Sequence, residues 1–300
     1  MEATLEPEAA VASAPPEAPK VIKAKRNLKQ TLGKPIVGWL IAITYLFPVY
    51  WMINTSFKSG KDMFATPPQM YPENPYFGSY DAAINGNYGI WQALINSMII
   101  AGSVLILTLL IAIPASYAVA RMRGGITTSM MVMLTVVQLL PAIAISIPMF
   151  VMFRQVDLIN SYLSIIIADI SVTLPFAVIL LRPYFKTFPY EVEEAAKLDG
   201  LSTVGTIIKI VIPTIRPGII MISSFAFLMA WGEFTFALTL STDQTIQPLT
   251  VALNRLIGQY GTNWNDLMAV ATIIALPVLV IFVVLQRYIV AGLAGGATKG

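Results

Sequence analysis

The chain has 300 residues, of which 56% are hydrophobic and only 12% charged, and its mean hydropathy is +0.72. A soluble domain carries about 25% charged residues, so half that share points to a membrane protein. The net charge is only +3, and cysteine and histidine are both absent, which excludes disulfides, thiolate metal sites, Cys or His nucleophiles and histidine proton relays.

Residues 1–20, "MEATLEPEAAVASAPPEAPK", are rich in Ala, Pro and Glu and lack the apolar run of a signal peptide. They read as a disordered tail extending over 1–33. A transmembrane domain is expected over 34–290 and a second tail over 291–300. Within that domain six stretches have the roughly 20 apolar residues that a membrane-crossing helix needs: Ile36 to Phe57, Leu94 to Ala120, Thr128 to Met149, Ser161 to Leu181, Gly218 to Leu240 and Leu267 to Gln286. The expected fold is therefore an all-α membrane protein of six spans. Pro48, Pro114, Pro141, Pro175 and Pro277 fall inside these spans, where neighbouring helices can satisfy the freed backbone groups.

With the N-terminus placed inside, 15 of the 19 Lys and Arg residues lie on one side and only Lys58, Lys61, Arg154 and Arg255 on the other. Flanking cations set orientation, so both termini are expected in the cytoplasm. The segment from Lys58 to Gln92 is then an outer loop, full of turn residues.

Between the fourth and fifth spans, over 187–213, the apolar pattern breaks. Pro189 suits the first position of a helix, and Glu191, Glu193 and Glu194 favour its positive N-terminal end. Lys197 stands near the C-terminal end, and Gly200 is placed to end the helix in a left-handed conformation. Ser202 caps a second short helix through Val211, stopped by Pro213 before the fifth span. At about 1.5 Å per residue the first helix is roughly 16 Å long, far too short to span. Val192, Ala195 and Ala196 share one shallow face that another protein can approach closely. The alternative is an amphipathic connector lying on lipid, although three acidic side chains are unusual for that role.

Asp169 and Glu233 lie inside spans, where an acid costs about 2.5–3.5 kcal/mol at the helix centre, so each is expected to face a cavity or protein. Asp169 is about 12 Å in from Ser161 and Glu233 about 10 Å in from Leu240, both in the outer half. Trp231, Phe234 and Phe236 crowd Glu233. Aromatic faces with a few acceptors suit a hydroxyl-rich solute. Gln138, Asn96 and Ser97 are further pathway candidates, with bonding between helices as the other explanation. "GLSTVGT" (Gly200 to Thr206) imitates a P-loop, but Thr206 stands in place of the essential lysine and no strand precedes it.

"EAAKLDG" followed after nine residues by "IVIP" resembles the E-A-A-x-x-x-G-(nine)-I-x-L-P loop of the inner-membrane permease subunits of ABC importers. The match runs through Glu194, Ala195, Ala196, Gly200, Ile210 and Pro213, with Asp199 also common there and Ile212 in place of leucine. "LINSMIIAG", "ASYAVARMR", "LLRPYFKTFPYEVEEAA", "LMAVATIIALP" and "QRYIVAGLAGGATKG" extend the resemblance to the carbohydrate branch, and in particular to the second permease of maltose-type importers. "WGEF" (Trp231 to Phe234) departs from that branch's W-N-E-F. The resemblance implies that Glu194, Ala195, Ala196, Asp199, Gly200, Ile210 and Pro213 couple the chain to an ATPase. It also implies a second homologous permease, two ATP-binding cassette subunits that bind ATP and Mg, an extracytoplasmic solute-binding protein and a location in the cell membrane. By the same analogy the tail Gly295 to Gly300 reaches the ATPases. The chain itself is expected to hold no metal or cofactor, to bind no nucleic acid and to catalyse no reaction. It would form half of a pathway for a sugar or polyol by alternating access, with lipid around it. An ion-coupled secondary transporter, in which Asp169 or Glu233 carries the coupling ion, and an ABC permease for another solute are the alternatives.

Overall fold

The computed structural model describes residues 28–86, 88–258 and 261–297, in two units, one ending at Val49 and one beginning at Tyr50. Helix α1 (Leu28–Ser56) begins inside the stretch expected to be a tail, and residues 1–27 lie outside the described residues.

In the second unit, the segment read from sequence as an outer loop holds two short helices, α2 (Gly60–Met63) and α3 (Gly78–Asn85). Ser59 caps α2 by accepting the Asp62 N–H at 3.3 Å. Helix α4 (Ile90–Arg121) is the second span. The third expected span is not one helix: α5 (Gly125–Gln138) and α6 (Ala142–Gln155) meet at 91°. Pro141 explains the bend, since it restricts Leu140 to extended geometry and has no N–H for the preceding turn.

Helix α7 (Tyr162–Thr187) packs against α4 over most of its length. Ala93, Ala101 and Ala112 on α4 and Ala168 and Ala177 on α7 are buried. Small side chains let membrane helices approach where apolar burial alone gives no drive. Thr108 and Thr173 bond across this contact at 3.1 Å.

The interrupting segment comprises α8 (Tyr190–Leu198), α9 (Thr203–Thr206), a π-helical turn (Ile207–Val211) and α10 (Ile212–Thr214). Pro213 was expected to end the second short helix, but it lies within α10, and the break falls at Ile215. There the direction changes by 84° into α11 (Arg216–Trp231). Pro217 has no N–H to give to the carbonyl four residues back, so the helix cannot run through this point.

The fifth span also differs from the expected continuous run. Helix α11 stops at Trp231, and α12 (Thr235–Leu240) starts after the break at Gly232–Phe234. Helix α13 (Leu249–Arg255) leads to a two-residue antiparallel pair, β1 (Ile257–Gly258) with β2 (Gly261–Thr262), a small addition to an otherwise helical fold. Helix α14 (Trp264–Ala297) covers most of the stretch expected as a C-terminal tail, and residues 298–300 lie outside the described residues. Four helices, Pro35–Ser56, Ile90–Arg121, Tyr162–Thr187 and Trp264–Gln286, can each cross a membrane unbroken, and the bent pairs raise the number to six among the described residues.

Two buried clusters stack along the second unit. One gathers Ile100, Val104, Ile165, Trp231, Phe236 and Leu249, and the other Leu181, Phe185, Val211, Ile215 and Ile222. The interrupting segment sits at the end of the second cluster.

Candidate functional site

At that end, α8 terminates in a Schellman arrangement: Gly200 N–H donates to the Lys197 carbonyl and Leu201 N–H to the Ala196 carbonyl, both at 3.0 Å. Gly200 has φ +86°, a left-handed conformation that glycine adopts without strain. Pro189 is the residue before α8 rather than its first member, and Ser202 caps α9 by accepting the Gly205 N–H at 3.1 Å.

The face expected to be shared by Val192, Ala195 and Ala196 divides. Val192, Glu194 and Ala195 are exposed, whereas Ala196 is buried against the rest of the chain. Leu198 is 89% exposed, and with Val192, Val204 and Ile208 it gives this end an apolar surface between acidic Glu194 and Asp199. Ile210 packs against the second cluster, that of Leu181 and Phe185, and Pro213 is exposed.

Glu193 lies in the first turn of α8 as expected, but it is also fully buried and bonded to three groups of α4. The Arg121 Nε donates to its Oε1 at 3.1 Å, the Arg121 Nη2 bonds the same oxygen, and the Tyr117 hydroxyl donates to Oε2 at 2.7 Å. Nη2 also reaches the Phe188 carbonyl at 3.3 Å. Tyr117 and Arg121 are four residues apart and so share a helical face, which is the signal by which sequence reasoning could have found them.

Asp169 and Glu233 do converge. Both line a cavity of about 90 Å³ together with Ala142, Val172, Thr173, Met229, Ala230 and Phe236. Asp169 is 2% exposed, and neither of its carboxylate oxygens has a hydrogen-bond partner among the described residues. Glu233 is differently placed. Its carboxylate accepts the Phe236 N–H at 2.7 Å and the Ala237 N–H at 3.0 Å, so it caps α12 across the break in the fifth span. The break and the acid explain each other: a helix restarted inside the membrane exposes N–H groups, and Glu233 satisfies two of them.

The remaining candidates do not join this cavity. Trp231 is buried, stacks on Phe227 at 5.5 Å and donates Nε1–H to the Ile274 carbonyl at 3.2 Å. Phe234 packs on the first cluster, that of Ile100 and Phe236. Gln138 donates to the carbonyl of Val172 at 2.6 Å, which braces the α5–α6 bend beside the cavity wall. Asn96 is fully buried, donates to the Thr245 and Gln247 carbonyls at 2.8 and 2.9 Å, and accepts from Tyr162 and Gln92. Its side chain ties α4, α7 and the segment after α12 together. Ser97 joins α4 to the start of α13 by accepting the Leu249 N–H at 2.8 Å. Among the described residues no three His, Cys, Asp or Glu side chains are grouped to hold a metal ion.

Residues 109–295 match the family described as "binding-protein-dependent transport system inner membrane component". A diacetylchitobiose uptake system permease protein of Streptomyces coelicolor is 30% identical, over 92% of this chain and 100% of that protein. A sulfoquinovosyl glycerol transport system permease protein of Agrobacterium fabrum is 28% identical over 89% of this chain and 95% of its own length. A melibiose/raffinose/stachyose import permease protein of Bacillus subtilis is 27% identical over 88% of this chain and 95% of its own. Among solved structures, a bacterial ABC transporter involved in import of the acidic polysaccharide alginate matches with a TM-score of 0.73, at 20% identity, over 87% of this chain and 97% of that one.

Proposed function

The chain belongs to the binding-protein-dependent inner membrane components, the permease subunits of ABC importers, and from that premise we propose that it forms half of the pathway for a sugar or related polyol. The single observation that carries the cargo is the kinship, over nearly the full chain, with permeases named for chitobiose, sulfoquinovosyl glycerol and melibiose uptake. A second permease, two ATP-binding cassette subunits holding ATP and Mg, and an external binding protein complete the importer in this reading. Both termini lie in the cytoplasm, on the side richer in Lys and Arg.

The mechanism is mechanical. The exposed surface of α8 and α9, with Glu194, Ala195, Asp199 and Gly200, docks on an ATPase. Closure of the ATPases displaces α8, and the Glu193–Arg121 pair passes that displacement to α4, whose packing on α7 carries it to the outer cluster. Asp169, with two free acceptor oxygens, receives solute hydroxyls when the cavity widens, while Glu233 holds the broken fifth span in register beside it. The geometry supports this division of labour because Asp169 spends none of its hydrogen-bonding capacity on the fold.

The test is reconstitution of the chain with the products of its neighbouring genes in proteoliposomes. Uptake of labelled diacetylchitobiose or melibiose is expected only with ATP inside and binding protein outside. Uptake that persists without the ATPases would overturn the importer reading. An ATP-active complex that moves neither sugar would overturn the cargo assignment alone.

A further inference from the structure

At the end of the second unit away from the interrupting segment, a second and larger pocket of about 520 Å³ opens between the start of α2, the start of α3 and the start of α14. Its walls are Ser59, Gly60, Lys61, Tyr76, Ser79, Asn263, Asn265 and Asp266, none of which touches the cavity of Asp169 and Glu233. The volume lies within the range of small-molecule sites.

The walls are built and held. Asn265 is buried and donates Nδ2–H to the Lys58 carbonyl, joining α14 to the end of α1. Asp266 is buried too, and its Oδ2 accepts from Asn263 at 2.7 Å and from the Tyr88 hydroxyl at 3.1 Å. Tyr76 is fixed by its N–H to the Phe57 carbonyl at 2.8 Å. Its ring lies so close over Gly78 that a Cβ there would sit 2.2 Å from it. Behind it Ser79 is 1% exposed, and its hydroxyl has no partner among the described residues. A buried hydroxyl left unbonded is a cost that a ligand in this pocket would remove.

We infer that this pocket is a carbohydrate-binding subsite on the outer face, which receives part of the solute before it reaches the membrane cavity. The chemistry selects the class. Hydroxyl, amide and carboxylate groups mix donors with acceptors, as a polyol requires. A half-exposed tyrosine ring offers a flat face for sugar C–H groups. Lys61 and Asp266 are opposite in sign, so the walls favour a neutral ligand over an ion. The outward assignment rests on the orientation given under the proposed function.

The absence of cysteine from the chain allows a direct test. Lys61→Cys at the pocket rim and Glu73→Cys as an exposed control are made in the complete importer. Their labelling by a membrane-impermeant maleimide is followed by the mass of this chain, with diacetylchitobiose and melibiose as probes. At about ten times the half-saturating concentration, simple mass action slows labelling of the rim cysteine about tenfold. The control is expected to be unaffected, and Tyr76→Ala or Ser79→Val in the Lys61→Cys background is expected to abolish the protection. Failure of both sugars to protect overturns the subsite, as does protection that Tyr76→Ala and Ser79→Val leave intact. Protection that needs the external binding protein but no sugar also overturns it, and makes the pocket a protein-docking site. Labelling only from the cytoplasmic side instead overturns the orientation, whatever the sugars do.

Discussion

Arg121 and Glu193, 72 positions apart in the chain, are joined by Nε and Nη2 bonding one carboxylate oxygen, while Tyr117 holds the other. The carboxylate is fully buried and the guanidinium side chain 19% exposed. Removing one partner of such a pair leaves the other charge without compensation, at about 3–5 kcal/mol for a fully buried pair. Arg121→Met is expected to lower the melting temperature and to abolish uptake in whatever complex assembles. The double variant Arg121→Met/Glu193→Met, which leaves no orphan charge, should recover most of the melting temperature but not ATP-driven uptake. Recovery of both would reduce the pair to a structural clamp.

Gly200 has open space around it, so only its backbone conformation resists substitution. A left-handed backbone costs a side chain roughly 1–2 kcal/mol, and more for a β-branched one. Gly200→Val should therefore spare membrane insertion and the rest of the fold. ATP hydrolysis by the assembled complex is expected to lose its dependence on solute. Normal coupled uptake in this variant would count against α8 and α9 as the docking element.

Asp169 and Glu233 share a cavity but differ in hydrogen bonding, and the proposed roles separate by experiment. Glu233→Ala frees two N–H groups at the start of α12, a loss of about 0.5–2 kcal/mol typical of a removed cap, so both stability and uptake should fall. Asp169→Asn removes no bond to its side chain and should leave the melting temperature unchanged or raised. Its expected effect is a higher KM for solute. An unchanged KM with lowered stability would reverse the assignment.

Gly218 lets α11 approach α7: a Cβ there would stand 2.5 Å from the Tyr184 ring. Overpacking of this kind costs about 1–3 kcal/mol. Gly218→Ala should lower the melting temperature measurably, and Tyr184→Leu in the same chain should restore part of it. Thermal unfolding in detergent, followed by tryptophan fluorescence, reads both.

Lys58, next in sequence to the pocket residue Ser59, is buried and bonded to the Gln69 carbonyl, with its ammonium 4.6 Å from the centre of the Trp51 ring. Burial pushes its pKa below the ordinary lysine value of 10.5, and nearby Asp62 opposes the shift. Between the folded value and 10.5 the unfolded chain binds more protons than the folded one, so stability due to this group rises with pH. Measured as the difference in melting temperature from Lys58→Met, the natural chain should gain as pH rises through that alkaline window. A flat difference would show that the Gln69 and Trp51 contacts offset the burial.

Much of this was legible in the residues. The motif around Glu194 to Pro213 located the interrupting segment, and Gly200 and Ser202 act as their residue types require. Asp169 and Glu233 were legible as misfits in hydrocarbon, and they do meet. The bends were not, because hydropathy measures composition and says nothing of direction: Pro141 and Pro217 produce turns of 91° and 84° in stretches that read as apolar throughout or as simple entry points. Glu193 was legible as an acid of the first turn but not as a buried one, because three acids in one helical turn look alike until a cation from a distant span claims one of them. Asn96 and Trp231 illustrate the same limit, since a buried amide or indole satisfied by remote carbonyls has the same sequence signature as one that faces solute.

The π-helical turn at Ile207–Val211 has a consequence for motion. Ile212 N–H bonds to the Ile207 carbonyl, so the coil contains one residue more than a regular helix needs. Such a surplus behaves like a dislocation in a crystal. A surplus of this kind moves by exchanging one hydrogen bond at a time and turns each residue it passes by about 100°, and Pro213, with no N–H to exchange, blocks it on the elbow side. Rotation of side chains in this stretch without melting therefore runs from Ile207 back towards α9.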